Sequence, residues 1–512
     1  MTPSEQRPPD QPGASISLAQ ISDIVPGGAS LHGIDGTQAE QLLLADVTHD
    51  SRDAGPGVLF AARPGERVDG HDFIGQAVTA GSPAALVERV ADVDAPQLQV
   101  RSVADALGAV AAAVHDYPSA ELLLLGVTGT SGKTTTTYLL DAILNAAGHR
   151  TGLVGTVETR VGDAVVPGAR TTPESTDLQR LFRSMRRADV TAATMEVSSH
   201  GLELGRVAGS RFAAVGFTNL SHDHLDFHPS LEAYFQAKAR LFTRQYAGIG
   251  VINVDPSADG QAWGRTLADQ SEIDVVTVST TGRPADVVAT DVHVDVTHSR
   301  FTAHLSSGSY QATVHIPGEF NVANAILALA MAQAAGIDAE TAVQGLAQLR
   351  GVPGRMEQVD AGQDFSVLVD YAHKPDALEK VLATARGLTE GMLIVVVGCG
   401  GDRDAAKRPE MGRVAAAMAD VAILTSDNPR SEAPKVILDG MLAGAAMVAG
   451  ADVRPEIDRR DAIGLALHAA GPGDVVVIAG KGHETYQEMA DRTVPFDDRA
   501  VARELLRAGG GA

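Results

Sequence analysis

Cysteine is almost absent: Cys399 stands alone among 512 residues. No internal disulfide can form, and a reducing compartment is expected. Long apolar runs are absent too. A membrane-spanning helix needs about 18 consecutive apolar residues, whereas the longest runs are short strand-like stretches such as Met392 to Val397. Residues 1–15 hold Pro3, Pro8, Pro9 and Pro12 and lack the apolar segment of a signal peptide, so they read as a disordered tail. Positive charge is in short supply: 41 Lys+Arg against 64 Asp+Glu leave −23 with histidine neutral. That balance argues against nucleic acid or an anionic membrane as the main partner, because both select basic surfaces. There is no internal repeat and no low-complexity tract beyond the tail. What is present is ordinary for a folded protein: 44% hydrophobic and 21% charged residues exclude wholesale disorder. The length exceeds what one core organises, so about two to four domains are expected in a soluble, cytoplasmic chain.

From about Ile16 to Tyr117-Pro118, short strands alternate with loops, with a helical stretch near Phe73 to Ala80 and a strand at Ala84 to Val87. Pro118 is a plausible boundary. Just beyond it, Glu121 to Val127 is apolar without alternation, as a strand buried on both faces of a parallel sheet must be. A Gly-rich turn follows, then a helix with Leu139, Leu140, Ile143 and Leu144 on one face. Strand and helix candidates alternate to about Arg350, with a β-rich insertion near Val275 to Ile316 and a second boundary near Val352-Pro353-Gly354. The last part carries four apolar strands: Phe365 to Val369, Met392 to Val397, Val421 to Thr425 and Val475 to Ala479. Each ends in polar or glycine-rich residues, and in an open parallel sheet ligands bind outside the carboxyl ends of the strands. The expected fold is therefore α/β with domains over residues 16–118, 119–351 and 352–512. The central one is a phosphate-loop sheet and the last is Rossmann-like.

Gly129-Thr130-Ser131-Gly132-Lys133-Thr134 sits between the leucine strand and the amphipathic helix. Glycines there let backbone N–H groups approach phosphate oxygens, the helix N-terminus adds partial positive charge, and Lys133 neutralises the β- and γ-phosphates. Thr134 supplies a hydroxyl of the kind that ligates Mg²⁺. The spacing is irregular, because Val127 stands where the usual pattern has its first glycine. Nucleotide binding is nevertheless favoured over a plain Gly-rich turn. A triphosphate brings Mg²⁺, which wants oxygen ligands, and Glu196 at the tip of an apolar strand is a candidate; alone it could equally cap the next helix. His222, His224 and His228 crowd one stretch, but with no cysteine near a transition-metal site is not expected. Lys238 is oddly placed. Leu231, Tyr234, Phe235, Leu241 and Phe242 mark one apolar helical face, and Lys238 falls on it. The ordinary reading is a snorkelling lysine whose amine reaches water. The other is a buried amine that loses its charge and can react with CO₂. Spacing leaves both open.

Together these motifs resemble the Mur ligase family over nearly the whole chain from about Ile16. Gly126 to Thr135 resembles the family's phosphate loop and accounts for the irregular glycines; Thr135 belongs to the same cradle. Glu196-Val197-Ser198-Ser199-His200-Gly201, Asp223-His224-Leu225-Asp226 and Ala237-Lys238 resemble its metal-site elements. The resemblance implies that Glu196 and His224 ligate Mg²⁺, and that Lys238 carries a CO₂-derived carbamate (N6-carboxylysine) that helps hold a second ion. His222 stands where an arginine is expected and is given no role. Asp50-Ser51-Arg52 resembles the N-terminal module that holds the UDP end of a sugar nucleotide, with Ser51 as a contact. Thr171-Thr172-Pro173, Ser198 and Arg206 match contacts to the muramoyl-dipeptide and pyrophosphate. Asn321, Arg355, Asp370, His373 and Lys374 match adenosine and phosphate contacts.

The amino acid to be added turns on Asp427-Asn428-Pro429-Arg430, a motif that goes with diaminopimelate in the family. The chemistry agrees: diaminopimelate offers a distal carboxylate that Arg430 can grip, whereas lysine offers only a repelled ammonium. Arg403, Gly480 and Glu484 join the same site by likeness, Asp427 and Glu484 suiting an ammonium and the arginines carboxylates. Cys399 is expected as a small residue in a tight turn rather than a nucleophile. The implied activity is ATP-dependent amide ligation of meso-diaminopimelate to UDP-MurNAc-L-Ala-D-Glu through an acyl phosphate, by a monomer. No side chain stands out as the base for the incoming amine.

The rivals are a lysine-adding or other Mur-type ligase, a folylpolyglutamate synthetase, and a non-catalytic NTP-dependent switch or motor. A dinucleotide oxidoreductase fails on its fingerprint, since Gly398 and Gly400 are followed by Arg403 and not by glycine.

Overall fold

An apolar run without alternation needs cover on both faces, and residues 123–128 receive it. In the computed structural model, which describes residues 15–65, 68–257 and 260–509, Leu123–Thr128 is a strand of an eleven-stranded sheet. It lies parallel between Ala192–Glu196 and Ala214–Phe217. Leu125 and Val127 pack with Leu139, Leu140, Ile143 and Leu144 of the helix Lys133–Ala146 on one side. Leu124 packs with Phe182 and Met185 of the helix Ser175–Arg187 on the other. Each side chain buried in this way contributes roughly 1.5–3 kcal/mol, so the alternating directions of one strand hold two helical layers in place. The leucine run begins outside the strand, because Pro118–Glu121 forms a 3-10 turn first. The β-rich stretch expected as an insertion is instead the far edge of the same sheet. Asp274–Ser279, Val287–Val294, Ser299–Leu305 and Gly308–Val314 continue it, the last three pairing antiparallel.

The N-terminal part is a five-stranded sheet in which Asp46–Thr48, Val58–Ala61, Ala84–Val87 and Gln97–Val100 run parallel and Ala29–His32 closes one edge antiparallel. The expected helix near 73–80 opens as a 3-10 turn, Gly70–Phe73, capped by the Asp69 side chain, before Ile74–Thr79 becomes α-helical.

The C-terminal part is a six-stranded sheet in the order Glu357–Gln358, Ser366–Asp370, Val475–Ala479, Leu393–Cys399, Val421–Ser426, Asp452–Pro455. The four apolar strands lie side by side and parallel. Val475–Ala479, latest of the six in sequence, inserts between the first two apolar strands, so the tips after residues 370, 399, 426 and 479 share one end of the sheet. Cys399 is the buried last residue of its strand rather than part of a turn, and burial pushes its thiol up to about 12. No helix among the described residues is long and apolar enough to cross a membrane. The tail of residues 1–15 lies outside the described residues, apart from residue 15.

Candidate active site

The phosphate loop is held open by contacts that only glycine permits. Gly129 has φ +145° and Gly132 φ +87°; a Cβ at the first would strike Thr218 Oγ1, and at the second Asn324 Oδ1. Both conformations lie where L side chains are strained. Asn219 braces the loop, its carbonyl accepting from Thr130 N at 2.9 Å and its Oδ1 from Ser131 N at 3.0 Å. Lys133 opens the helix and folds back, donating to Gly129 O at 2.8 Å and Thr130 O at 2.9 Å. Burial, set against Glu196 and with Lys374 adding to it, lowers this ammonium to about 8.

Lys238 converges on the same spot. On the helix Leu231–Ala239 it is 1% exposed, donates to Gly129 O at 2.8 Å and lies 4.4 Å over the Tyr234 ring. The snorkelling expectation is therefore overturned: the amine never reaches water, because Tyr234 and the phosphate loop close over it. Burial, reinforced by Lys133, holds its pKa well below the usual range.

Around these amines stand groups from distant parts of the chain. Glu196 is buried; its Oε1 accepts from Thr134 Oγ1 at 3.1 Å and Thr156 N at 2.8 Å. Ser198, not Glu196, caps the next helix. Thr135 is buried just behind. His224 has φ +53° and sits with Nε2 3.1 Å from Asp223 Oδ2; partial burial, with Lys374 nearby, lowers its imidazole to about 4 although part of the side chain meets water. Asp223 also pairs with Lys374, and Arg355 Nη2 donates to Thr134 Oγ1 at 3.2 Å. Asn321 and Asn324 are buried against each other at 3.2 Å. Two of the expected nucleotide contacts, Asp370 and His373, bond the chain's own backbone. The Asp370 carboxylate accepts from Met356 N at 2.7 Å and Ala372 N at 2.8 Å, holding the turn that carries Arg355. His373 Nδ1 faces Tyr371 O at 2.8 Å, and burial lowers its imidazole to about 3. Thr134 and Glu196 are hard oxygen donors beside a phosphate cradle, which is the donor chemistry Mg²⁺ selects. Among the described residues, no group of three or more His, Cys, Asp or Glu is disposed to hold a metal.

A hydroxyl chain leads away from Glu196. Thr156 bonds Thr171 at 2.9 Å, Thr172 donates to Glu196 O at 2.9 Å and to Ser198 Oγ at 3.1 Å, and Arg206 reaches Thr172 O at 3.3 Å. Arg206 also pairs with Glu174, which holds Arg63 and Arg170 too. Ser51 stays apart from this network and faces Gln76 at 3.4 Å.

The third group gathers at the C-terminal strand tips. Asn428 Nδ2 donates to Glu484 Oε2 at 2.7 Å, and Gly480, at φ +113°, lies against Asp427, whose Oδ2 a Cβ there would meet at 2.8 Å. Arg430, at φ +52°, donates through Nη1 to Gly401 O at 2.8 Å and through Nε to Glu488 Oε2 at 2.9 Å. Arg403 is exposed, with no hydrogen-bond partner among the described residues. That His224 and Arg430 both hold left-handed backbone fits a site where surrounding contacts over-determine the conformation.

Sequence reasoning missed what lies beneath. Lys481 is 0% exposed and donates to Asn428 Oδ1 and Glu484 Oε2, both at 3.0 Å, with Asp427 Oδ1 at 3.8 Å. Arg459 and Asp498, also 0% exposed, form a two-armed pair from which Arg459 reaches Ser426 O and Ala479 O, the carbonyls just before Asp427 and Gly480. The lysine between glycines at a strand tip was the available signal; nothing local marks Arg459. Removing Lys481 takes the nearest ammonium from buried Asp427 and partly buried Glu484. Lys481→Met should cost about 3 kcal/mol in urea unfolding, and most of that loss should disappear when Glu484→Gln is added.

Three family descriptions match along this chain: a Mur ligase family catalytic domain at residues 44–115, a Mur ligase middle domain at 127–332 and a Mur ligase glutamate ligase domain at 354–482. Over 475 residues, covering 91% of this chain and 92% of the relative, it is 48% identical to the UDP-N-acetylmuramoyl-L-alanyl-D-glutamate–2,6-diaminopimelate ligase of Streptomyces coelicolor. The chain belongs to the Mur ligase family. A solved ligase of that same name superposes on this Mur ligase with TM-score 0.71 at 32% identity, covering 98% of this chain and all of the other. The MurF ligase of Thermotoga maritima, solved with ADP, shares the fold at TM-score 0.60 and 19% identity, over 90% of this chain and 96% of that one. The three sheets are thus those of a Mur-type, ATP-dependent ligase.

Proposed function

We propose that this Mur ligase joins meso-2,6-diaminopimelate to the D-glutamyl carboxylate of UDP-MurNAc-L-Ala-D-Glu with ATP, in cytoplasmic peptidoglycan precursor synthesis. The observation that carries the reading is the gathering, at neighbouring C-terminal strand tips, of an acidic set (Asp427 and Glu484) and the guanidinium of Arg430, tied together through Asn428, which bonds both Glu484 and Glu488 N. The first suits an ammonium, the second a carboxylate, and diaminopimelate presents both at its distal centre. The hydroxyl chain from Thr171 to Arg206 suits the muramoyl-dipeptide, and Ser51 the UDP end. Lys133, Arg355 and Lys374 ring the phosphate loop. They suit a γ-phosphoryl group passing to the glutamyl carboxylate, with the amine then displacing phosphate; positioning and charge stabilisation are most of what this chemistry needs. Thr134, Glu196, His224 and a carbamylated Lys238 are the residues that hold magnesium in this reading; bound there, the ion supplies charge neutralisation to the phosphates. The carbamate forms when the neutral Lys238 nitrogen attacks CO₂: an N–C bond is made, one N–H proton leaves, and a carboxylate results.

Purified protein given the UDP-sugar dipeptide, ATP and Mg²⁺ should consume diaminopimelate far better than lysine. Arg430→Ala should erase about a hundredfold of that preference, since each charge-assisted hydrogen bond contributes about 1.5–3 kcal/mol. Equal use of both amino acids by the unaltered protein would overturn the assignment.

A further inference from the structure

The carboxylate that Arg430 holds in this structure belongs to the chain itself. Glu488 ends the short strand Tyr486–Glu488, which pairs only with Thr493–Pro495 in a two-stranded ribbon outside the main sheets. Its backbone is docked on the site at both ends: Glu488 N donates to Asn428 Oδ1 at 3.0 Å, and Glu488 O accepts from Arg430 N at 3.0 Å. Its side chain is not so confined. At 43% exposure, against 19% for Arg430, the carboxylate borders water on the side away from the arginine.

We propose that Glu488 is a resident carboxylate that occupies Arg430 until the carboxylate of the incoming amino acid displaces it. The proposal rests on the reading of this crevice as the diaminopimelate site. The guanidinium is oriented independently, since Nη1 is fixed on Gly401 O at 2.8 Å, so loss of the Glu488 pair frees the Nε edge without releasing the arginine. The Lys481 ammonium lies on Asn428, Glu484 and Asp427, and the Glu488 carboxylate lies on Arg430. Lys481 is wholly buried and stays; Glu488 is the replaceable member. Binding then exchanges one arginine–carboxylate pair for another, so part of the attraction for substrate is spent on displacing Glu488. A ligand with no distal carboxylate leaves the internal pair intact and meets a closed arginine. Glu488 is in this sense a specificity-determining residue that acts through Arg430.

The test is a double-mutant cycle on the full chain, read as the KM for diaminopimelate and for ATP. A partly exposed ion pair is a weak competitor, so Glu488→Gln should lower the KM for diaminopimelate about two- to fivefold, with the KM for ATP unmoved. In an Arg430→Ala background, the same change should have no effect on the KM for diaminopimelate. An unchanged or raised KM in Glu488→Gln overturns the proposal, a raised one meaning that Glu488 serves as a permanent brace for Arg430. If Arg430→Ala alone leaves the KM for diaminopimelate unmoved, the site reading itself fails and the proposal falls with it.

Discussion

Lys133→Ala should lower kcat for ligation by about a thousandfold, the scale of removing a preorganised charge from a phosphoryl-transfer site. The lysine opens the helix behind the phosphate loop and is anchored on Gly129 O and Thr130 O, so its ammonium is aimed before any phosphate arrives. Pre-aiming has a cost. Burial lowers the ammonium to about 8, so in the absence of nucleotide the charge is held against a desolvation penalty. The sign follows from linkage: with a folded value of about 8 below the ordinary 10.5, the unfolded chain binds more protons between the two, and stability rises with pH across that window. At neutral pH the penalty is present in full. The variant should accordingly melt at a higher temperature than the unaltered protein in nucleotide-free buffer while losing activity, a pairing expected of a functional charge and not of a structural one. Retained ligation, or a fall in melting temperature with the loss of activity, would refute the role.

The second large effect concerns Lys238. Replacing it with methionine, which keeps the stem and removes the nitrogen, should cost about 10²–10³-fold in kcat, as loss of a preorganised electrostatic group does. Arginine should not rescue, because a guanidinium stays charged and does not take up CO₂. The unaltered enzyme should lose activity when stripped of CO₂ and recover it with bicarbonate, and native mass spectrometry should register the mass of one bound CO₂. The structural grounds are specific. Lys238 and Lys133 both donate to Gly129 O; burial first, and the neighbouring Lys133 second, hold the Lys238 amine well below its usual range, which favours the neutral form that can take up CO₂. Full activity in CO₂-free buffer with an unmodified lysine would end the proposal.

Much of the fold was legible because parallel strands covered on both faces must be apolar throughout. The leucine strand and the four C-terminal strands announced themselves in this way. Glu357–Gln358 and Asp452–Pro455 did not, since sheet edges bury little and carry no apolar run. The phosphate loop was legible for a related reason: its glycines answer to backbone geometry, which is local. The site was legible only in part. Motifs proposed residues that the structure brings near one another around the phosphate loop and the C-terminal strand tips, while Asp370 and His373 are engaged by neighbouring backbone groups and Ser51 stands apart from the hydrogen-bonded chain that links Thr171 to Arg206.

The acidic total of −23 illustrates the division. It bears on which large partners suit the outer surface, and it is silent about where Lys133, Arg206, Arg355 and Arg430 stand and which groups face them. By itself the sequence determined the parallel sheets, the phosphate cradle and the kinds of ligand atom on offer, because periodicity and turn chemistry act over a few residues. Only the tertiary structure decided which charges are compensated and by what. That Lys238 is sealed from water, that Lys481 underlies the acidic pair and that Glu488 holds Arg430 depend on which segments cover a surface. Burial and electrostatic pairing are set by neighbours in space, and for Lys238 that neighbour, Gly129, is 109 positions away in the chain.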